Sequence, residues 1–315
     1  MISVILPVYN GEAFVARAIQ SVQQQTAADW ELVAVDDGSQ DGTLVILEQF
    51  AAQDKRIRVL SQPNGGVSAA RNSAMAAAQG TYYAFLDVDD LWYPEHLAVL
   101  EQLIAAYPQA GLFGTTYDIL YPDGRLSDTT AYFQGKESVF CLSDFLGSYA
   151  EDKRAKCFAL SSTCVRAASV HRVGGFCPAC KIGEDLALTL QIAAFEPVVL
   201  CVHKTVRYCK AYSTATRTTS FDPDWYFFDQ AQRLEADPLL LPNRRDSLHR
   251  VMAWFQLRRA RHYLIDGRRQ DAWTAFRQVK DYPGSMQDVL LTRLLFFLPC
   301  QVVRSVFLLR WQRQA

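Results

Sequence analysis

The sequence predicts an α/β fold, a mostly parallel sheet flanked by helices, followed by a helical C-terminal extension. Three observations carry this reading. Short β-branched apolar runs alternate with helical stretches over the first ninety residues, acidic clusters close two of those runs, and from about Asp224 the chain turns helical. In order, Ile2 to Val8 is a buried strand, and Ala13 to Gln24 then places Phe14, Ala18, Ile19 and Val22 on one helical face. Glu31 to Asp36 is the second strand, ending in Asp36-Asp37-Gly38-Ser39, with a helix from about Asp41 to Ala52. The third strand, Ile57 to Leu60, runs into Gln62-Pro63-Asn64-Gly65-Gly66 and an Ala-rich helix from Val67 to Ala78, before a fourth strand from Tyr82 to Leu86. Alternation at this spacing argues for parallel βαβ units, on whose sheets ligands bind beyond the carboxyl ends of the strands. Strands at Gly111 to Leu120 and Ala159 to Val165 and a helix from Asp185 to Ala194 read as the second half of the same domain.

With 315 residues, half of them hydrophobic, the chain can bury one large domain and an accessory segment. Its net charge of −1 provides no basic field for nucleic acid, which is excluded as a partner. The charge is uneven: 14 basic and 5 acidic residues follow Leu240, against 18 and 28 before it. Eight cysteines at scattered spacing read as reduced thiols, and the opening residues lack the basic region and cleavage site of a signal peptide, so a cytoplasmic chain is expected. Cys177-Pro-Ala-Cys180, with Cys201 and Cys209, is the one arrangement that would suit structural zinc, against the simpler reading of free thiols. The five histidines show no metal-ligand spacing. The turn Val8-Tyr9-Asn10-Gly11-Glu12 has neither the glycines of a dinucleotide fold nor the Lys of a P-loop, so dehydrogenase and ATPase readings lose their main support.

Three segments follow: an α/β domain over residues 1–222, a helical hairpin extension over 223–284 and an amphipathic tail over 285–315. The tail is strongly apolar from Val289 to Leu298 and from Cys300 to Trp311, but Arg293, Pro299 and Arg304 interrupt it. Each Arg near a bilayer centre costs about 2.5 to 3.5 kcal/mol on insertion scales, so the tail is expected to lie in the cytoplasmic membrane interface rather than to cross it. Core helices or an oligomer interface are the alternative.

Asp87-Val88-Asp89 closes the fourth strand, and period-two geometry puts its two carboxylates on one side of the chain, with Asp90 offering a further oxygen. Hard oxygen donors of this kind suit Mg²⁺ or Mn²⁺. An acidic surface turn would look the same in isolation. It does not stand in isolation. The blocks Pro7-Val8-Tyr9-Asn10, Val35-Asp36-Asp37-Gly38-Ser39 through Thr43, Asn64-Gly65-Gly66-Val67-Ser68 through Asn72, Leu86-Asp87-Val88-Asp89-Asp90 and Gly183-Glu184-Asp185 together resemble the family 2 glycosyltransferases, in that family's order. They span residues 2 to about 190, roughly three-fifths of the chain.

The resemblance implies the GT-A fold of nucleotide-diphospho-sugar transferases and an inverting transfer of a sugar from a nucleotide-sugar donor, a UDP-sugar, to an acceptor hydroxyl. It places Pro7, Val8, Tyr9, Asp37, Gly66, Arg71, Asp87 and Val88 around the donor, with Asp37 accepting from the uracil ring and Arg71 contacting the nucleotide. The alternative for Asp37 is a turn-capping residue, and for Arg71 a solvated helix arginine. Gly65 and Gly66 are expected to allow positive φ and close backbone approach. Asp89, with Asp87 beside it, is implied to hold Mn²⁺ or Mg²⁺, which neutralises the departing diphosphate. Asp185 is implied to be the general base, with Glu184 the neighbouring alternative. It would also suit a helix N-cap.

The sequence departs from the family in one loop. Tyr208 to Thr214 lacks the family's His, so Lys210, or Arg217, is left to bring positive charge to the diphosphate. The Gln-x-x-Arg-Trp signature of processive synthases is missing, which favours one sugar per encounter. The acceptor class implied is a saccharide or lipid-linked saccharide of a cell-envelope glycan, met at the inner membrane face, with the loops after Gly111, including Thr115 to Asp128, setting its choice. Two rivals remain: a non-catalytic nucleotide-sugar-binding assembly protein of the same fold, and a glycoside hydrolase using Asp89 and Asp185 as its carboxylate pair.

Overall fold

The first half of the chain folds as consecutive strand and helix units: β1 (Ile2–Val8), α1 (Val15–Gln23), β2 (Trp30–Asp36), α2 (Thr43–Gln53), β3 (Ile57–Ser61), α3 (Val67–Ala77) and β4 (Tyr82–Phe85). The computed structural model describes residues 1–128, 130, 138–151, 159–180, 182–210, 225, 227–279 and 286–311. β1 and β2 are buried at every position, as expected of strands covered on both faces, and α1 turns Val15, Ala18, Ile19 and Val22 onto them. The four strands run parallel in the order β3-β2-β1-β4. The β1–β4 ladder stops at Ile5 opposite Phe85, whereas β1–β2 continues to Val8 opposite Asp36. Pro7, with no N–H to donate, therefore stands past the end of the β4 ladder, where its missing donor costs nothing. The strand order reverses between β1 and β4, the kind of switch point beside which α/β sheets form a ligand crevice.

The chain continues through β5 (Leu91–Trp92), α4 (His96–Ala106), β6 (Leu112–Leu120), β7 (Leu126–Asp128), β8 (Val139–Leu142), α5 (Phe145–Glu151), β9 (Thr163–Arg166), α6 (Ala167–Val173), α7 (Glu184–Ala193) and β10 (Val198–Cys209). The sheet extends as β4-β9-β6-β10-β5, with β10 parallel to β6 and β9 antiparallel to both its neighbours. The expected strand at Ala159 to Val165 begins only at Thr163. Before it, Ser162 Oγ bonds both the N–H and the carbonyl of Ala159 and curls Leu160–Ser162 into a 3₁₀ turn.

The described elements belong to two compact units, Met1–Phe145 with Lys153–Thr218, and Leu146–Asp152 with Thr219–Ala315. The second is helical: α8 (Phe227–Ala236), α9 (Pro242–Ile265), α10 (Arg269–Arg277), α11 (Met286–Leu295) and α12 (Cys300–Trp311). α9 starts at Pro242, where a proline in the first helical turn gives up no hydrogen bond. Gly267, at φ 78°, turns the chain from α9 into α10. Ala260, Tyr263 and Leu264 of α9 pack with Ala272 and Ala275 of α10, Leu295 of α11 and Val303 of α12. Among the described residues no helix is long and apolar enough to cross a membrane.

Candidate active site

At the carboxyl ends of β1 and β2 two turns are laced together. Asn10 donates from its N–H to Ser39 Oγ (2.9 Å), Gly11 to Thr43 Oγ1 (2.8 Å) and Glu12 to Asp41 (3.1 Å), while Gly42 donates back to Glu12 (2.9 Å). A Cβ at Gly11 would lie 2.6 Å from a Val8 methyl and 3.1 Å from one of Val88, so the first turn sits directly on the Asp87-Val88-Asp89 loop. Of the first block, Pro7 and Val8 are buried and Tyr9 stands out at 49% exposed.

Asp37, buried after β2, grips the glycine loop that precedes α3. Its Oδ1 accepts from Gln62 Nε2 (2.7 Å) and the Gly65 N–H (2.9 Å), and its Oδ2 from the Gly66 N–H (2.8 Å). Three of about four lone-pair positions are thus taken, leaving one on Oδ2 for a ligand donor. The bonds reach across to another loop rather than capping Asp37's own turn. Gly66 has φ 83° and ψ 164°, a region open essentially to glycine alone, but Gly65 has no positive φ and needs its missing Cβ only because Ala69 would lie 3.0 Å away.

The acidic residues divide by depth. Asp90 turns inward, accepting from Ser161 Oγ (2.6 Å) and the Cys209 N–H (2.8 Å), so the further oxygen expected of it is spent on the fold. Asp87 and Asp89 stay half-buried at the strand end. Burial, then the charge of Asp87, push the Asp89 carboxyl up to about 6. Two hard oxygen donors whose mutual repulsion a cation relieves fit Mg²⁺ or Mn²⁺, which take one or two carboxylates and fill the rest of the shell with water and phosphate. Among the described residues no three His, Cys, Asp or Glu side chains group into a closed metal cage, and Cys180 Sγ donates instead to the Ile182 carbonyl (3.2 Å).

Arg71 ties this cluster to the start of α7. Its guanidinium, 4% exposed, donates to Asp87 Oδ1 and to Glu184 Oε1, each at 2.8 Å. Its terminal nitrogens therefore serve carboxylates rather than standing open as a solvated fork would. Burial works against the Arg71 charge, but the two carboxylates outweigh it and raise the guanidinium pKa. Burial, then the Asp185 charge, raise Glu184. Asp185 is also raised by burial, opposed by the Leu186 N–H, which donates to Asp185 Oδ1 at 2.7 Å, and by Arg71. Gly183, in the left-handed region at φ 75°, takes the N-cap position, so Asp185 lies one residue inside the helix rather than capping it.

Lys210 follows directly on Cys209, whose N–H holds Asp90, and its ammonium lies over the Tyr121 ring at 5.1 Å. Arg217 falls outside the described residues. Several supporting residues, Asn72 excepted, gave no sequence signal. Ser161 donates to Asp90 while accepting from the Asp87 N–H (3.1 Å), Arg17 donates to the Asp89 carbonyl (3.0 Å), and Asn72 pins both backbone groups of Phe176, whose ring lies 5.1 Å from the Arg71 guanidinium carbon. Asn72, adjoining Arg71 in the recognised block, was the one with a usable clue.

A family model described as glycosyl transferase family 2 matches residues 3–164. The putative teichuronic acid biosynthesis glycosyltransferase TuaG of Bacillus subtilis (strain 168) is 40% identical over 130 residues, 41% of this chain and 51% of that protein. The chain thus spans about half the length of that relative and less of others. Among solved structures, residues 1–349 of S. aureus TarS in complex with UDP-GlcNAc superpose at a TM-score of 0.72 and 18% identity, over 97% of this chain and 91% of that one. The mannosyltransferase PcManGT from Pyrobaculum calidifontis, in complex with GDP-Man and Mn²⁺, gives 0.55 and 18% over 96% and 83%. These likenesses show the fold: a mostly parallel sheet flanked by helices, of GT-A type.

Proposed function

Because the chain belongs to glycosyl transferase family 2, we propose that it is an inverting glycosyltransferase that moves one sugar from a UDP-sugar to an acceptor hydroxyl in the building of a cell-envelope glycan or polysaccharide. The observation that carries the proposal is the Arg71 bridge, which brings Asp87 of the Asp-x-Asp loop and Glu184 of the Gly-Glu-Asp motif onto one guanidinium at the carboxyl ends of the strands. TarS crystallised with UDP-GlcNAc and TuaG described for teichuronic acid support the donor class and the kind of product.

In this reading the nucleotide lies across the ends of β1 and β2, beside Tyr9, with the free Oδ2 position of Asp37 accepting from the base and Gly66 letting the chain pass close. Pro7, Val8 and Val88 form the floor. Asp89, with Asp87, would hold Mn²⁺ or Mg²⁺, which when bound neutralises charge on the departing diphosphate. Lys210 adds a positive charge from the end of β10. Asp185 takes the proton from the acceptor hydroxyl as its oxygen bonds to the anomeric carbon and the bond to the diphosphate oxygen breaks on the opposite face. The burial that raises the Asp185 pKa makes it the stronger proton acceptor. Arg71 engages Glu184 at 2.8 Å and leaves Asp185 to this task. The acceptor is a saccharide or lipid-linked saccharide, met at the cytoplasmic face of the membrane.

Asp185→Asn tests the assignment. Transfer should fall by about 10² to 10⁴-fold, the usual range for a lost general base, while UDP binding stays close to wild type. Turnover near wild type would reject Asp185 as the base.

A further inference from the structure

The second unit carries a helix that is apolar on two faces. α11 turns Thr292 and Leu295 into the unit, yet on its other side Leu290 (51%) and Leu294 (62%), one turn apart, stand open to solvent beside the exposed Arg293, and Phe297 (81%) stands open in the turn just past the helix end. Trp273 of α10 adjoins this stripe: its ring is 5.4 Å from that of Phe296, and it is 48% exposed. The Phe296–Leu298 tip is built rather than frayed, since Arg269 donates to the carbonyls of both Phe296 and Leu298. Exposed cations stand on α10, α11 and α12. Arg277 shares a face of α10 with Trp273 at i+4, and Arg293 and Arg304 are exposed, with no ion pair to a described residue. The neighbouring acids are already engaged, Asp288 by Arg261 (2.8 Å) and Asp271 by Arg268 (2.7 Å).

We infer that the Leu290, Leu294, Phe297 and Trp273 face is a docking surface for an anionic lipid bilayer, lying in its interface with Arg277, Arg293 and Arg304 at the headgroups. The charge decides for a lipid surface: the chain after Leu240 has 14 basic and 5 acidic residues. An exposed Trp beside aliphatic side chains and arginines is the composition of an interfacial helix, and no described helix is fit to span. This deepens the proposed reading by saying how the chain reaches a lipid-linked acceptor, and it fails separately from it: vesicle binding without sugar transfer would overturn the acceptor reading alone.

The full chain is sedimented with phosphatidylcholine vesicles containing about one-third phosphatidylglycerol and with phosphatidylcholine alone. Partitioning to the anionic vesicles, weakened by salt and reduced about tenfold or more by Leu294→Ser with Phe297→Ser, is expected, with UDP binding unchanged in that variant. Arg293→Glu should weaken binding only where the anionic lipid is present. Wild type left in the supernatant, or the double variant binding as well as wild type, overturns the inference. A wild-type dimer in solution that becomes a monomer in the double variant, without vesicle binding, would identify a second copy of the chain as the occupant instead.

Discussion

Arg71 is the residue on which the site is strung. Removing a buried guanidinium leaves the Asp87 and Glu184 carboxylates facing each other without a counter-charge. Losing one partner of a buried pair costs about 3 to 5 kcal/mol, and the partial exposure of Asp87 argues for the lower end. Arg71→Met should therefore unfold at clearly lower urea, and it should lose transfer even at temperatures where it is folded. An unchanged midpoint would show that the two ion pairs do not form. Gly66→Ala meets open space, yet its backbone sits where only glycine is at ease, so a loss of about 1 to 3 kcal/mol is expected with weaker UDP binding. Unfolding and titration of that one variant test both. Asp87, Asp89, Glu184 and Asp185 were singled out by the resemblance of their short blocks to those of family 2 glycosyltransferases rather than by their spacing alone. Their junction was not, since Arg71 and Glu184 are 113 residues apart and nothing local in either block says that they meet. Ser161 was invisible for the same reason.

At the scale of elements, the four parallel strands and the three helices between them fall within about two residues of where the sequence pattern places them; β1 and β2, buried at every position, read as nearly continuous apolar runs, while β3, half-buried and carrying Arg58, is marked by its place in the strand and helix alternation. β10 is the longest strand described, yet it escaped notice. Its second half carries His203, Lys204 and Arg207, and its register against β6 shifts on both sides of Lys204, so neither an apolar run nor a clean alternation survives. What anchors it is long-range. His96 of α4 shares a 2.6 Å hydrogen bond through Nδ1 with Thr205 Oγ1, and Thr205 in turn meets Thr115 of β6 at 2.7 Å. Burial lowers the His96 pKa from 6.5 to about 3, so the folded imidazole is neutral where the unfolded one gains a proton. The unfolded chain then binds more protons between about pH 6.5 and 3, and stability contributed by this group is lost as pH falls through that window. The urea midpoint should drop from pH 7 to pH 5, and His96→Asn, uncharged at both, should drop less. Equal slopes would remove His96 as the cause.

Over the whole chain, an acidic first part bearing the motifs precedes a basic helical part, an asymmetry the sequence displays plainly. The described site residues all fall within the first unit, Met1–Phe145 with Lys153–Thr218, and the candidate lipid face within the second. The two proposals can accordingly be tested one without the other. The claim on which the account rests is that the strand ends around Asp37, Arg71 and Asp89 form a metal-assisted nucleotide-sugar site. Ligand that binds only the folded state at a hundred times its Kd adds about 2.7 kcal/mol of stability, enough to move a melting temperature visibly. Thermal unfolding of the full chain should therefore be followed with UDP and UDP-sugars, with and without Mn²⁺, in wild type and in Asp89→Ala. The account predicts a rise in Tm that requires the metal and vanishes in the variant. A chain whose Tm responds to no nucleotide under any of these conditions would contradict it.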